Sequence, residues 1–180
     1  MVMWRSLLLV LMVMFTLTAC TDYDIDTFEI HINPGVDTVQ VNSTFNDAGA
    51  TATIEGNNRR VTIIENTVDI TKVGTYKIVY QASYRNTVIQ ATRMVDVVDE
   101  EAPQITLNPG IDTIYVGDTW EDSGVSVTDN SKENIHLTVQ GTVNTDVAGE
   151  YIITYRAEDE SGNIATKIRY VNVLPKNSDE

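Results

Sequence analysis

From residue 151 to residue 158 the chain alternates with a period of two: Tyr151, Ile153, Tyr155 and Ala157 interleave with Ile152, Thr154, Arg156 and Glu158. Such alternation, rich in β-branched and aromatic side chains, marks a half-buried strand. The same reading covers Ile105-Thr106-Leu107 and residues 113–116, 125–128, 135–139 and 164–173. Gly117-Asp118, Asp129-Asn130, Ala148-Gly149 and Ser161-Gly162-Asn163 supply turns between them. Short strands with a turn every ten residues or so predict an all-β sandwich with little helix. Only the first stretch departs from this pattern. Residues 6–18 are almost entirely apolar, and Arg5 is the only charge before Asp22. The run is shorter than the roughly 20 residues that span a bilayer. A positive start, an apolar core and small residues before a cut predict a secretory signal peptide over 1–19.

The remainder repeats itself. Asn33-Pro34-Gly35-Val36-Asp37-Thr38-Val39 recurs 75 positions later as Asn108-Pro109-Gly110-Ile111-Asp112-Thr113-Ile114. The register carries through Asp47 and Asp122, Gly49 and Gly124, and Tyr76-Lys77-Ile78-Val79-Tyr80 and Tyr151-Ile152-Ile153-Thr154-Tyr155. One residue is missing from the first copy near Tyr84, so Val95-Asp96-Val97 matches Val171-Asn172-Val173 at an offset of 76. The expected organisation is therefore a tether over 20–27, one domain over 28–98, an acidic linker over 99–103, a second domain over 104–173 and a polar tail over 174–180. Two copies are too few for a solenoid, so each copy is expected to have its own small core.

Three local patterns add resemblances. Leu17-Thr18-Ala19-Cys20 resembles the lipobox of bacterial lipoproteins. That resemblance implies cleavage after Ala19, a lipid on the Cys20 sulfur and attachment to the extracytoplasmic face of a bacterial membrane. Gly74-Thr75-Tyr76 and Gly149-Glu150-Tyr151 fit an immunoglobulin-type tyrosine corner at Tyr76 and Tyr151, with Ile78 and Ile153 at the position of the second disulfide cysteine. Two tandem Ig-like β-sandwiches follow, with aliphatic packing in place of the bridge. The second copy, through Ala102-Pro103, Val116-Gly117, Asp122, Gly124, Asp129, Gly149, Tyr151, Tyr155, Asp159 and Gly162-Asn163, resembles the bacterial Ig-like repeats of unknown function found in surface proteins and in some pesticidal crystal proteins. The resemblance implies an extracellular spacer or binding module without chemistry of its own. Trp120 stands where the family usually has Tyr. The first copy departs further, with Tyr84-Arg85-Asn86-Thr87 in place of the Asp-x-x-Gly-Asn turn and Ile54-Glu55 in place of Asp129-Asn130.

Charge changes the picture in one place. The formal net charge is −14, which argues against nucleic acid as a partner. The first copy holds seven acids and six bases, the linker is −3, and the second copy holds eleven acids and four bases. Like charges gathered at a junction are unfavourable unless solvated, screened or bridged by a cation. Asp99, Glu100, Glu101, Asp129 and Asp159, with Glu160 beside them, are thus weak calcium candidates, since calcium takes six to eight oxygen ligands. The same acids also read as a solvated face that keeps a surface protein soluble. Other chemistry is scarce. The lone cysteine excludes a disulfide framework, and the two histidines, His31 and His136, lie in different copies, which excludes the ligand set of a zinc site. No G-x-S-x-G elbow occurs, and no enzyme is predicted.

Phe45 and Trp120 occupy equivalent positions and are expected to fill the same core gap. The function expected is a membrane-anchored, non-catalytic surface module that binds a protein or glycan. The alternative is a structural spacer or envelope subunit with no ligand of its own, with calcium stiffening the junction as a variant of that reading. An exposed aromatic on the second copy favours binding, and uniformly polar loops favour the spacer. Extended, the seven residues from Thr21 to Thr27 reach about 23 Å, which keeps the first domain near the membrane.

Overall fold

A computed structural model describes residues 27–176; the expected signal peptide over 1–19, Cys20 and residues 21–26 and 177–180 lie outside the described residues. The first repeat forms β1 (Glu29–Ile32), β2 (Thr38–Gln40), β3 (Ala50–Ile54), β4 (Asn57–Arg59), β5 (Val61–Asn66), β6 (Gly74–Tyr84) and β7 (Thr87–Val98). The second forms β8 (Gln104–Leu107), β9 (Thr113–Tyr115), β10 (Val125–Thr128), β11 (His136–Gln140), β12 (Gly149–Glu158) and β13 (Ile164–Leu174). The architecture is all-β, and every pairing among the described strands lies within one repeat.

In the first sandwich, β1-β3-β4 faces β2-β7-β6-β5; in the second, β8-β10 faces β11-β12-β13-β9. In each, the long hairpin β6–β7 or β12–β13 is antiparallel, and the short strand after the Asn-Pro-Gly turn runs parallel to its last strand. Thr38 pairs with Asp96, and Thr113 with Asn172. The parallel partner is short because it is reached from the opposite sheet, across the turn that Pro34 or Pro109 begins.

Alternation builds the cores. On β12, Ile153, Tyr155 and Ala157 are buried and face Ile105 of the other sheet, with Leu107, Trp120, Val125, Val127, Ile135 and Val143 packed around them. On β6, Ile78, Tyr80 and Ala82 take the same places, and Ala82 joins Phe28, Ala52 and Ile54. Burying each large apolar side chain is worth about 1.5–3 kcal/mol, enough to give each repeat its own core. Trp120 is part of that core, and its indole N–H donates to the Ile111 carbonyl at 2.9 Å. Phe45 is half-buried. The Tyr76 and Tyr151 hydroxyls donate to the carbonyls of Lys72 and Val147, 2.9 and 2.8 Å away, across the turn before β6 and β12. His31 is exposed and pairs with Glu29 at 2.9 Å, while His136 is exposed at the start of β11.

Candidate functional site

Two kinds of polar cluster interrupt the cores. The first occurs once in each sandwich. Arg93 on β7 and Arg169 on β13 share the inward parity of Val95 and Val97, or Val171 and Val173, and their side chains are only 1% exposed. A charge there is tolerable only if every donor is met. Arg169 donates Nη1 to both carboxylate oxygens of Asp112 at 2.8 and 3.0 Å, and Nη2 to the carbonyls of Asn108 and Gly124 at 2.9 Å each. Its Nε donates to the Tyr155 hydroxyl at 3.2 Å, which in turn donates to Asp122. Arg93 repeats the scheme with Asp37, the carbonyls of Asn33 and Gly49, Tyr80 and Asp47.

The recurring Asn-Pro-Gly-x-Asp segment is thus a cradle for a buried guanidinium. Its glycine is required by close approach. A Cβ on Gly110 would lie 2.2 Å from Ser123 Oγ, and one on Gly35 would lie 2.9 Å from Ala48 Cβ and 3.0 Å from Arg93 Nη1. In the sequence, the signal for this cradle is an arginine at the inward step of two equivalent strands.

Burial, and then the hydrogen bond to Asp47, push the Tyr80 hydroxyl up to about 12; burial and Asp122 raise Tyr155 likewise. Burial opposes the charge on both arginines, but their hydrogen bonds to the tyrosine and the aspartate outweigh it and hold them above the ordinary value. The raised tyrosine favours the neutral, folded form. Its stabilising contribution is complete below the unfolded value of 10.0 and is lost as the pH climbs through about 12. Alkaline titration followed by phenolate absorbance should therefore show Tyr80 ionising above the ordinary tyrosine range, together with loss of tertiary structure, and Tyr80→Phe should remove its share of that alkaline loss.

Among the described residues, the second cluster occurs once, at the junction. The inward parity of β7 runs through Arg93, Val95 and Val97 to Asp99 just beyond the strand's end. That of β12 runs through Ile153, Tyr155 and Ala157 to Asp159, and that of β10 through Val125 and Val127 to Asp129. Each strand thus delivers an aspartate where its next core residue would stand. Asp99 and Asp159 are buried and Asp129 half-buried, and one carboxylate oxygen from each lies within 4.8 Å of the other two.

Neighbouring groups brace this trio without saturating it. Asp159 accepts from the Asn163 backbone N–H and side-chain amide, each at 2.8 Å. Asn163 Nδ2 also donates to the Asp99 carbonyl at 3.1 Å, a bond between linker and second sandwich. Asp129 Oδ1 accepts from the Ser131 N–H at 2.9 Å and hydroxyl at 2.7 Å, and Asp99 Oδ1 accepts from the Glu101 N–H at 3.2 Å. Asn42, after β2, donates across the junction to the Asn130 carbonyl at 2.7 Å.

Of the five acids singled out from the sequence, the structure gathers Asp99, Asp129 and Asp159. Glu100 and Glu101 lie outside the cluster. Glu100 is exposed and accepts from Gln40 Nε2 at 3.1 Å, and Glu101 is exposed with its backbone turned onto Asp99. Alternation explains the split: 99 continues the inward parity of β7, whereas 100 takes the opposite step. Glu160 bonds to Asn134 at 2.9 Å.

The fold and these sites define a tandem Ig-like surface module. The chain belongs to the family described as "Bacterial surface protein, Ig-like domain", whose model matches residues 22–97 and again 105–173. The family's description is of domains of bacterial surface proteins. Among solved structures it is similar to human mucin-like protocadherin EC1-2, at 15% identity and a TM-score of 0.36, covering 82% of this chain and 99% of that one. It is also similar to a lipoprotein from Bacteroides thetaiotaomicron, at 14% identity and a TM-score of 0.34, covering 81% and 100%. No curated protein sequence matches.

Proposed function

We propose that the chain is a non-catalytic lipoprotein, held on the extracytoplasmic face of a bacterial membrane through Cys20, whose second sandwich binds a protein partner. The observation that carries this reading is a difference between equivalent sheet faces. On the outer face of the second sandwich, Ile152 pairs with Tyr170, Thr154 with Ile168, and Leu174 with Tyr115. Tyr115 and Tyr170 are about half exposed, and Ile152 and Ile168 are also exposed. In the first sandwich the matching positions are Lys77, Met94, Val79, Thr92, Val98 and Gln40, a face without a tyrosine and with Met94 as its one exposed apolar side chain. Exposed apolar clusters with tyrosines mark interaction surfaces. Aliphatic residues beside the tyrosines suit a protein surface better than a glycan. The excess of acids on this domain favours a partner with a basic rim.

The test is cross-linked capture from intact cells with the wild type, Tyr170→Asp and Cys20→Ala. One saturable partner lost in Tyr170→Asp supports the reading. Capture indifferent to Tyr170→Asp, or a glycan in place of a protein, overturns it. Membrane fractionation should find the wild type in the membrane and Cys20→Ala released. If capture fails while release holds, the ligand-free spacer becomes the better reading; it is favoured by the bond from Asn42 to Asn130 across the junction.

A further inference from the structure

We infer that Asp99, Asp129 and Asp159 form a calcium site that fixes the two sandwiches relative to each other. Four observations converge on it, and none depends on the proposed binding surface.

The first is placement. Three carboxylates occupy core-parity positions with an oxygen of each within 4.8 Å of the others. Oxygens on opposite sides of a calcium ion stand about 4.6–5.2 Å apart, given bond lengths of about 2.3–2.6 Å. The spacing is therefore that of ligands around one ion.

The second is unmet bonding. Asp99 is 7% exposed, yet its Oδ2 has no hydrogen-bond partner among the described residues. Asp129 Oδ2 is likewise buried and unpartnered, as are both side-chain atoms of Asn130. Buried polar groups are nearly always satisfied, and an orphaned one points to a water or an ion. Orphaned carboxylate oxygens beside other carboxylates call for a cation, because a water leaves their mutual repulsion in place.

The third is donor chemistry. The set is three carboxylates, and it contains no imidazole or thiolate. Hard cations take such sets, whereas zinc and copper select nitrogen and sulfur. Calcium accommodates irregular, partly hydrated geometry, whereas magnesium demands near-ideal octahedra at shorter distances.

The fourth is the internal control. In the first repeat the positions matching Asp129, Asn130 and Asp159 are Ile54, Glu55 and Tyr84. Ile54 is buried, and Tyr84 packs edge-on against Phe28 with ring centroids 6.3 Å apart. The Arg59 guanidinium covers that ring, 4.5 Å from its centroid. The same end of the same fold is thus closed by an apolar cap in one copy and by acids in the other. A need for solubility alone would place acids on the exposed face, not at core-parity positions on three separate strands.

Because Asp99 belongs to the linker and the other two to the second sandwich, an ion here ties the end of β7 to the ends of β10 and β12. The bonds from Asn163 to the Asp99 carbonyl and from Asn42 to the Asn130 carbonyl already hold this arrangement near its bound geometry.

The test is calorimetric calcium titration of the full chain in detergent, with small-angle scattering in calcium and in chelator. One calcium per chain is expected, with a Kd of roughly 0.1–1 mM, the range of extracellular modules. Asp129→Asn should weaken it at least about tenfold, whereas Glu150→Gln, at the opposite end of β12, should leave it unchanged. Chelator should broaden the distribution of interdomain distances, and magnesium should restore it only in part. Absence of saturable binding up to about 10 mM, well above that range, overturns the inference, as does equal binding by Asp129→Asn. Unaltered scattering in chelator overturns the locking role. The chelator arm on the unmutated chain keeps the result decisive should a variant fail to fold.

Discussion

Arg169→Ala should destabilise the second sandwich by about 3–5 kcal/mol, because it empties a site that is only 1% exposed and leaves buried carbonyls without their donor, at about 1–3 kcal/mol each. The deletion removes the donor to the Asp112 carboxylate and to the carbonyls of Asn108 and Gly124, and it leaves a cavity where the guanidinium lay. Asp112→Ala should cost less, because its side chain is 39% exposed and water can replace part of its role at the rim. The two losses should be less than additive, since both break one network. The protein supplies a convenient probe. It has two tryptophans; Trp4 lies in the expected leader, so Trp120 reports the second sandwich once that leader is removed. Urea unfolding followed by its fluorescence should shift strongly in Arg169→Ala and little in Arg93→Ala. Equal shifts in both variants would mean that the sandwiches unfold as one unit. No shift in Arg169→Ala would mean that the cradle contributes nothing net.

The cradle also shows where sequence reading stops. Alternation locates β12 to within two residues because one face is apolar and the other polar over most of its length. The same rule assigns Arg169 to the inward face of β13, but a charged residue there reads as an interruption of the pattern unless its partners are known. Those partners lie 14 to 61 positions away, and two of the four, the carbonyls of Asn108 and Gly124, are backbone groups that carry no residue-type signal. The repeat made Asp37 and Asp112 visible as recurring letters, and their role needed three dimensions.

The junction is the converse case. Its charge was legible because an acidic linker stands beside an acidic domain, and Asp99, Asp129 and Asp159 could be singled out as candidates. Which of the acids converge was not legible from charge alone, since Glu100 and Glu101 carry the same charge as Asp99. Parity beyond a strand's end separates them, and parity is reliable only once the strand's last residue is known. The aromatic cap of the first repeat was half visible: Ile54 and Tyr84 could be seen to replace the acids, but not that they pack with Phe28.

Ile153→Ala should cost about 3–4 kcal/mol, within the range for truncating a buried aliphatic side chain, and should equal or exceed the effect of any other single apolar truncation in the second sandwich. Ile153 is 3% exposed and stands on β12 between the tyrosine corner and Tyr155. In an Ig domain with an inter-sheet disulfide, a cysteine holds this place and joins the sheets covalently. Here only packing against Ile105 and its neighbours joins them at this level, and the facing sheet has just two strands, β8 and β10. So thin a sheet has little capacity to shift inward and fill a cavity, which places the cost toward the upper part of the range. Ile153→Val should cost only about 0.5–1.5 kcal/mol, because the β-branch that suits the strand is kept. The check is the Trp120 unfolding transition, since Trp120 packs against the same cluster. If Ile153→Ala proves no worse than Ile153→Val, the two sheets are held together by the arginine cradle rather than by the aliphatic layer, and the Arg169→Ala variant should then be the one that fails to fold.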